Sequence, residues 1–230
     1  MATFPGINHV ERRLFNRTFM NEIVLFFTYN SVDLAVVKEN IETILPFVKY
    51  TPCPENSSKD CVIYKDSDAI ISFTTYGVLV SIPSKEYRDF AETFSIWCHL
   101  EIVMKHIGIN PITWTFTKGN RFVFNKPILE EQYNDVYRLI LSDNLITSSN
   151  DKHILVLESE DQSCVFTSRF GIEKFQEKDS LGLKTMIISQ TYSIEGLAEQ
   201  IMKRNEDMFD CWYWCMSEKT LSIMEIKHSK

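Results

Sequence analysis

The sequence predicts an α+β fold, in which an antiparallel sheet of about eight strands has long helices packed across it. Three observations lead to this prediction. Short apolar segments come in runs of three with tight turns between them, which is typical of an antiparallel meander. Longer segments repeat apolar residues every three or four positions, as the buried face of a helix does. The chain has 230 residues, of which 44% are hydrophobic, and can therefore bury a substantial core.

The first half of the chain begins with a strand and a helix. Residues 21–29, NEIVLFFTY, are short, apolar and aromatic, and they predict a buried strand. The next segment has helical spacing, with Ser31 as its predicted N-cap and Pro46 at its end. Three strands and a long helix are then predicted, at 60–64, 69–76, 77–82 and 85–107. Gly108 is the expected left-handed residue that ends this helix.

The second half repeats the same order of elements. A strand is predicted at 111–117, and Pro127 opens a helix over 128–142. Three more strands and a second long helix follow, at 152–159, 163–172, 183–192 and 194–216. Ser193 is the predicted N-cap of the last helix.

The two halves therefore share the order strand, helix, three strands, long helix. We expect one globular domain over residues 1–230, built of two pseudo-repeats at about 19–108 and 109–225. The repeat is one of element order and not of residue identity. One four-stranded unit alone would leave an exposed edge and a half-covered core, whereas two units side by side bury more surface. The pattern leaves open whether the halves form one sheet or two.

Composition and charge narrow the class of function. The net charge of −7 disfavours nucleic acid, which requires many Lys and Arg contacts to phosphate, and it suits a basic protein partner. No apolar run approaches the roughly 18 residues of a membrane span. Glu11, Arg12 and Arg13 stand where a signal peptide needs an apolar core, so we expect a cytoplasmic protein without a membrane anchor. Its six cysteines should then be free thiols.

The segment DMFDCWYWCMSEK, residues 207–219, places Cys211 and Cys215 four positions apart on one helix face. A zinc site would need two further ligands, and no other His or Cys lies within ten residues of the pair. A redox pair more usually has the spacing Cys-x-x-Cys. Free cysteine is among the most buried residue types, so we interpret this pair as core packing.

The candidate ligand-binding residues form a small basic cluster. They are Lys118, Asn120 and Arg121, in a segment predicted to be a strand end or hairpin tip. Two interpretations stay open, namely contact with a small anion or nucleotide, and an ordinary solvated turn. The same alternatives apply to Arg12, Arg13 and Arg17 near the start of the chain.

The remaining polar residues have structural interpretations. His99 and His106 are seven positions apart on one helix, about 10 Å by helix geometry, and fit its polar flank better than one metal site. Glu158, Glu160 and Asp161 belong to a predicted hairpin connection, where acidic residues are common. The chain contains no G-x-S-x-G, Walker, G-x-G-x-x-G or H-E-x-x-H motif. The sequence therefore predicts no catalytic residue, cofactor or metal, and it disfavours an enzyme without excluding one.

Three segments carry a family resemblance. They are FMNEIVLFFTY at 19–29, ITWTFTKGNRFVFNK at 112–126 and IMKRNEDMFDCWYWCMSEKTLSIM at 201–224. In these segments the chain resembles a sporadically distributed family of uncharacterised prokaryotic proteins of similar length. The resemblance implies a bacterial protein of accessory gene content, associated with defence or toxin neutralisation. It implies no catalytic residue.

Together these features predict a non-enzymatic cytosolic module that binds a protein partner. Its binding surface would be an exposed sheet edge, a helix face, or the groove between the two halves. The alternative is a domain, or an enzyme, that holds a small anion or nucleotide in a cleft between the halves, close to Lys118 and Arg121.

Overall fold

The structure is a computed structural model, described for residues 4, 6–8, 18–83, 90–123, 153–175, 177–190, 194–218 and 221. At several strand ends the description covers the backbone alone. This part of the chain contains nine strands and three α-helices. They are β1 Thr18–Tyr29, α1 Leu34–Ile44, β2 Thr51–Pro52, β3 Cys61–Asp66, β4 Ala69–Thr74, β5 Gly77–Pro83, α2 Phe94–Ile107, β6 Pro111–Val123, β7 His153–Glu158, β8 Cys164–Phe175, β9 Lys178–Gln190 and α3 Leu197–Cys215.

The nine strands form one sheet in the order β2-β3-β4-β5-β1-β6-β9-β8-β7. Every pairing in it is antiparallel. β1 and β6 are neighbours at the centre, where Phe26 lies opposite Thr115. The meander β3-β4-β5 continues the sheet on the β1 side, and β7-β8-β9 continues it on the β6 side. The question left open by the sequence is thereby answered, because there is one continuous sheet.

In the part of the chain that the structure describes, the core lies against one face of the sheet. In β1, Ile23, Leu25 and Phe27 are buried, whereas Val24 and Phe26, which point the other way, are not. The same alternation runs through β4, β5, β6, β8 and β9. The buried apolar residues of the three described helices belong to the same core cluster as these strand residues. All three described helices therefore lie on this one face.

Helix α1 has a different N-cap from the one predicted. Asp33, and not Ser31, caps it, since an Asp33 carboxylate oxygen accepts a hydrogen bond of 2.8 Å from the backbone N–H of Ala35. Asp33 directly precedes the first helical residue, and its charge also favours the positive end of the helix. The helix ends at Ile44, two residues before Pro46, as the sequence predicts.

The helices after β5 and β9 differ from their predicted bounds. The segment predicted as helix 85–107 has a 3₁₀ turn at Phe90–Thr93, followed by α2 at Phe94–Ile107. Gly108 has a φ of 77° and ends α2, as predicted. α3 begins at Leu197, three residues later than the predicted 194. The predicted helix 128–142 and the start of the predicted helix 85–107 lie outside the described residues.

One strand was not predicted. β2 pairs Thr51 with Lys65 and Pro52 with Tyr64 of β3, in a segment predicted as a loop. A two-residue strand carries no periodic pattern, and Pro52 has no N–H for a ladder, which confines it to the margin of a sheet. This strand raises the number in the described part from about eight to nine.

Candidate functional site: the open face of the sheet

The face of the sheet opposite the three helices, here called the open face, carries a central apolar row. Along it Leu79, Phe26, Thr115, Ile188 and Val165 lie opposite one another in five neighbouring strands. The Phe26 side chain is 40% exposed and that of Ile188 is 36% exposed. Phe26 and Leu79 are therefore exposed side by side near the middle of the sheet, and Ile188 is exposed on the far side of Thr115.

A second row runs beside the first. It consists of Ile70, Ser81, Val24, Thr117, Met186, Thr167 and Val156, again in register across neighbouring strands. Ile70 and Val156 are exposed at its two sides. Threonine hydroxyl groups are interspersed along β6, and the hydroxyl groups of Thr28 and Thr113 lie 2.7 Å apart. The open face thus combines apolar side chains with hydroxyl groups, a composition that suits close contact with another surface.

Charged side chains border these rows. Among the described side chains, four cations and one anion lie on the open face: Lys65, Arg121, Arg169, Lys184 and Glu158. Arg169 and Lys184 are directly opposite each other in β8 and β9, and both are exposed. Lys65 lies opposite Ile70 at the other side of the apolar rows. The described part of this face is therefore basic, although the whole chain has a net charge of −7.

The predicted ligand residues do not share one surface. Lys118 is buried, with 8% of its surface exposed, on the helix-covered face. Its ammonium nitrogen lies 4.4 Å from the ring centroid of Phe90 and donates a hydrogen bond to the side-chain oxygen of Asn205 on α3. Arg121 lies on the open face, and Asn120 is described by its backbone alone. Ligand binding by these residues stays a prediction.

The expected position of this cluster at a strand end or hairpin tip was wrong. Residues 118–121 lie within β6, which continues to Val123. They pair with β1 on one side and with β9 on the other. The glycine and asparagine of residues 118–121 favour a turn, but pairing with two long neighbouring strands keeps this segment extended.

Lys118 belongs to a polar row inside the core. Thr185 lies opposite Lys118, and Ser168 lies opposite Thr185. All three are buried. The same row continues into β1 and β5 with the apolar residues Ile23 and Ile82, which are also buried. Beneath α3 the sheet therefore uses polar contacts, such as the 3.1 Å contact between the Thr185 hydroxyl and the Met208 sulfur.

The prediction that Cys211 and Cys215 are core residues is confirmed. Both belong to the hydrophobic core cluster, with exposures of 0% and 1%. Burial raises the pKa of Cys215 to about 12. Burial, together with the charges of Cys215, Asp207 and Asp210, raises the pKa of Cys211 still further above its ordinary value. Both thiols are therefore protonated near neutral pH, and a protonated thiol is a poor nucleophile.

The two histidines of α2 hold the helix to its neighbours. His99 Nδ1 lies 2.6 Å from a carboxylate oxygen of Asp66, the last residue of β3, which is 1% exposed. His106 Nε2 lies 3.0 Å from the hydroxyl of Thr43 on α1. His99 is itself 17% exposed, so the expectation of a simple polar flank holds better for His106. No local sequence pattern indicates the His99–Asp66 pair, because 33 residues separate its members.

The acidic hairpin connection is as predicted. Asp161 lies between β7 and β8, and its Oδ1 accepts hydrogen bonds from the Ser159 hydroxyl at 2.7 Å and the Ser163 hydroxyl at 2.8 Å. These bonds, that from Ser159 foremost, lower the pKa of Asp161 to about 2. The acid therefore orders its own turn. The predicted basic cluster of Arg12, Arg13 and Arg17 lies outside the described residues.

The described residues offer neither a metal-binding cluster nor a membrane-spanning helix. Within them, no group of three or more His, Cys, Asp or Glu side chains is placed to hold a metal ion. None of the described helices is long and apolar enough to cross a membrane.

The chain matches no protein-family model and no curated protein. Among the described residues, the open face carries five exposed large apolar side chains, namely Phe26, Ile70, Leu79, Val156 and Ile188.

Proposed function

We propose that this protein is a non-enzymatic protein-binding module and that the open face of its sheet is the binding surface. The observation that supports the proposal is the central row, in which Phe26 and Leu79 are exposed side by side and Ile188 is exposed on the far side of Thr115. A one-sided antiparallel sheet in water ordinarily alternates apolar residues inward with polar residues outward. Here the outward positions hold large apolar side chains, and such contiguous patches mark interaction sites.

The make-up of the open face resembles that of protein interfaces. Interfaces have an apolar centre that is poor in charge, and a polar rim. On the open face Phe26, Leu79 and Ile188 lie on strands in the middle of the sheet, Ile70 and Val156 lie nearer its edges, and the described charges lie beside these apolar residues. Removing apolar surface from water contributes roughly 25 cal/mol per Å², so covering these rows supplies a driving force for association. This surface replaces the sheet edge, helix face and groove that the sequence suggested.

The surface draws on both halves of the chain. We propose that the halves are the predicted pseudo-repeats, with β1-α1-β3-β4-β5-α2 in one and β6, β7-β8-β9 and α3 in the other. The strand order supports this, because β1 and β6 each lie next to the last strand of their own meander. Phe26 and Leu79 then come from the first unit and Ile188 from the second. A partner would bridge the two.

The cellular context is part of the same proposal. The family resemblance supports a bacterial protein, and we propose that the protein is cytoplasmic. The resemblance adds an accessory role in a defence or toxin-neutralising system. The partner is then a cellular or toxin protein, and the net charge of −7 weighs against nucleic acid.

Affinity capture with matched variants tests the binding surface. The first variant carries Phe26→Thr and Leu79→Thr, which remove the apolar centre but keep strand propensity. The control carries Phe47→Thr and Tyr76→Thr, which remove two exposed rings that lie outside the strands. Tagged proteins are used to capture partners from the organism that encodes the chain, and thermal denaturation checks that each variant folds.

The proposal expects a stoichiometric protein that the wild type and the control capture and that the Phe26→Thr/Leu79→Thr variant loses. Equal capture by a folded Phe26→Thr/Leu79→Thr variant would place the binding surface elsewhere. No stoichiometric partner for the wild type would count against a protein-binding function.

A further inference from the structure

The charge on the open face points to the chemistry of the partner, and this inference rests on the proposed function. The chain as a whole has 31 acidic residues against 24 Lys and Arg. The described side chains of the open face show the reverse, with four cations and one anion. The described part of this surface is therefore opposite in sign to the protein as a whole.

The placement of two of these cations is informative. Arg169 and Lys184 are direct cross-strand neighbours, and like charges at such positions destabilise a sheet. Each lies two residues from the second apolar row, Arg169 from Thr167 and Lys184 from Met186. A cationic pair that lowers stability therefore adjoins the apolar surface, where an anionic partner would relieve the repulsion.

We propose that the open face binds an acidic protein segment, with apolar side chains over the Phe26–Ile188 row and carboxylates over Arg169 and Lys184. Lys65 borders the apolar rows at the opposite side, so cations flank the apolar centre from two directions. Complementary charge around an apolar centre gives an interface its orientation and its rate of association. The expectation of a basic partner followed from the net charge of the whole chain. The charge that a partner meets is that of the contact surface, and its described part is basic.

Two other occupants fit less well. In a face-to-face pair of identical chains, each copy would bring four described cations and one anion to the interface, so like charges would meet. Proteins that bind single-stranded nucleic acid stack its bases on several aromatic side chains and hold its phosphates in a basic groove. The open face offers one described aromatic ring, Phe26, and the net charge of −7 repels a polyanion at long range.

Fluorescence anisotropy with defined peptides tests the inference. The probes are a short labelled peptide of alternating leucine and glutamate and its counterpart with lysine in place of glutamate. Each is titrated with the wild type and with an Arg169→Glu/Lys184→Glu variant. The charge-matched control is Lys38→Glu/Lys203→Glu, which reverses two exposed cations on α1 and α3. The first variant keeps a like-charged pair, so cross-strand repulsion is the same in kind as in the wild type.

The inference predicts that the wild type binds the glutamate peptide, and that added salt weakens this binding. The Arg169→Glu/Lys184→Glu variant should bind it at least about tenfold more weakly, a loss of about 1.4 kcal/mol, while the control is unchanged. The lysine peptide should bind the wild type weakly.

Several results would overturn it. Equal affinity for both peptides would refute the acidic preference, and so would a control variant whose affinity falls as much as that of Arg169→Glu/Lys184→Glu. Loss of peptide binding in Phe26→Thr/Leu79→Thr would then still support the open face as a protein-binding surface. Failure of the wild type to bind either peptide would also overturn it, and the affinity capture decides the broader function independently. Binding of labelled oligo-dT through Arg169 and Lys184 would favour nucleic acid. A dimer in light scattering that Phe26→Thr/Leu79→Thr dissociates would make a second copy the occupant.

Discussion

Arg169 of β8 and Lys184 of β9 lie directly opposite each other on the open face of the sheet. Their repulsion in the free protein has a measurable consequence. The single substitution Arg169→Glu converts the pair to opposite charges, and we expect it to raise the free energy of unfolding by about 0.2–1 kcal/mol. Urea denaturation at low salt measures the gain. In the double variant Arg169→Glu/Lys184→Glu stability should return to about the wild-type value, and a destabilised Arg169→Glu protein would contradict the account.

Glu101 holds the start of α3 from the neighbouring helix α2. Its carboxylate accepts hydrogen bonds from the backbone N–H groups of Gly196 at 3.1 Å and Ala198 at 3.0 Å, and from Lys105 at 2.7 Å. Gly196 precedes α3 without any side-chain cap of its own. Burial raises the pKa of Glu101, but these hydrogen bonds and the charge of Lys105 outweigh it, so the pKa lies below its ordinary 4.5.

This carboxylate makes stability depend on pH in a defined direction. A pKa that is lower in the folded state stabilises the protein above the unfolded pKa, and this contribution is lost as pH falls through the folded pKa. We expect Glu101→Gln to lower the free energy of unfolding by about 1 kcal/mol at neutral pH, because charged hydrogen bonds become neutral ones. The difference from wild type should shrink at pH values below 4.5. Glu206→Gln, at an exposed position of α3, is the control and should change little; a difference that grows in acid would refute the assignment.

The pair of Asp66 and His99 should couple β3 to α2. Asp66 is almost fully buried and its oxygen lies 2.6 Å from the imidazole, so removing either partner leaves the other without its contact. A double-mutant cycle with Asp66→Asn and His99→Gln should give a coupling energy of about 1–3 kcal/mol. The exposed contact between Thr43 and His106 provides the comparison, and its cycle should give a value close to zero. Similar coupling energies for the two pairs would show that burial does not determine the strength of the Asp66–His99 contact.

Burial also divides the six cysteines into two groups. Cys164, Cys211 and Cys215 are buried, whereas Cys53, Cys61 and Cys98 are partly exposed. Under native conditions a thiol reagent should modify the partly exposed group first, and the buried group should react only on unfolding, because thiolate formation requires access to water. Mass spectrometry of the labelled peptides identifies the order. Rapid native labelling of Cys211 would contradict its place in the core.

The sequence predicted the positions of the strands and helices better than it predicted which of their side chains are buried. The apolar run NEIVLFFTY marks β1 clearly, because an alternating or continuous apolar pattern is local information. The same run suggested a buried strand. Phe26 is exposed because every described helix packs on the face that carries Leu25 and Phe27, and helix placement is determined by contacts between residues far apart in the chain.

Lys118 illustrates the same limit for the candidate site. Its neighbours in sequence, glycine and asparagine, are turn-forming residues, so a hairpin tip was the natural expectation. Two long strands that pair with β6 instead place Lys118 within the core, where Asn205, 87 residues later, accepts its hydrogen bond. Arg169 and Lys184 are separated in sequence too, and only their register in the sheet makes them a pair.

Side-chain footprinting of the captured complex shows directly whether the open face is the binding surface. Carbene labelling followed by mass spectrometry reports the solvent exposure of individual side chains in the free and bound protein. We expect Phe26, Leu79 and Ile188 to lose labelling in the complex. Phe47 and Tyr76, which are more exposed in the free protein, should be labelled as before. Unchanged labelling of Phe26, Leu79 and Ile188, with protection elsewhere, would show that the open face is not the binding surface.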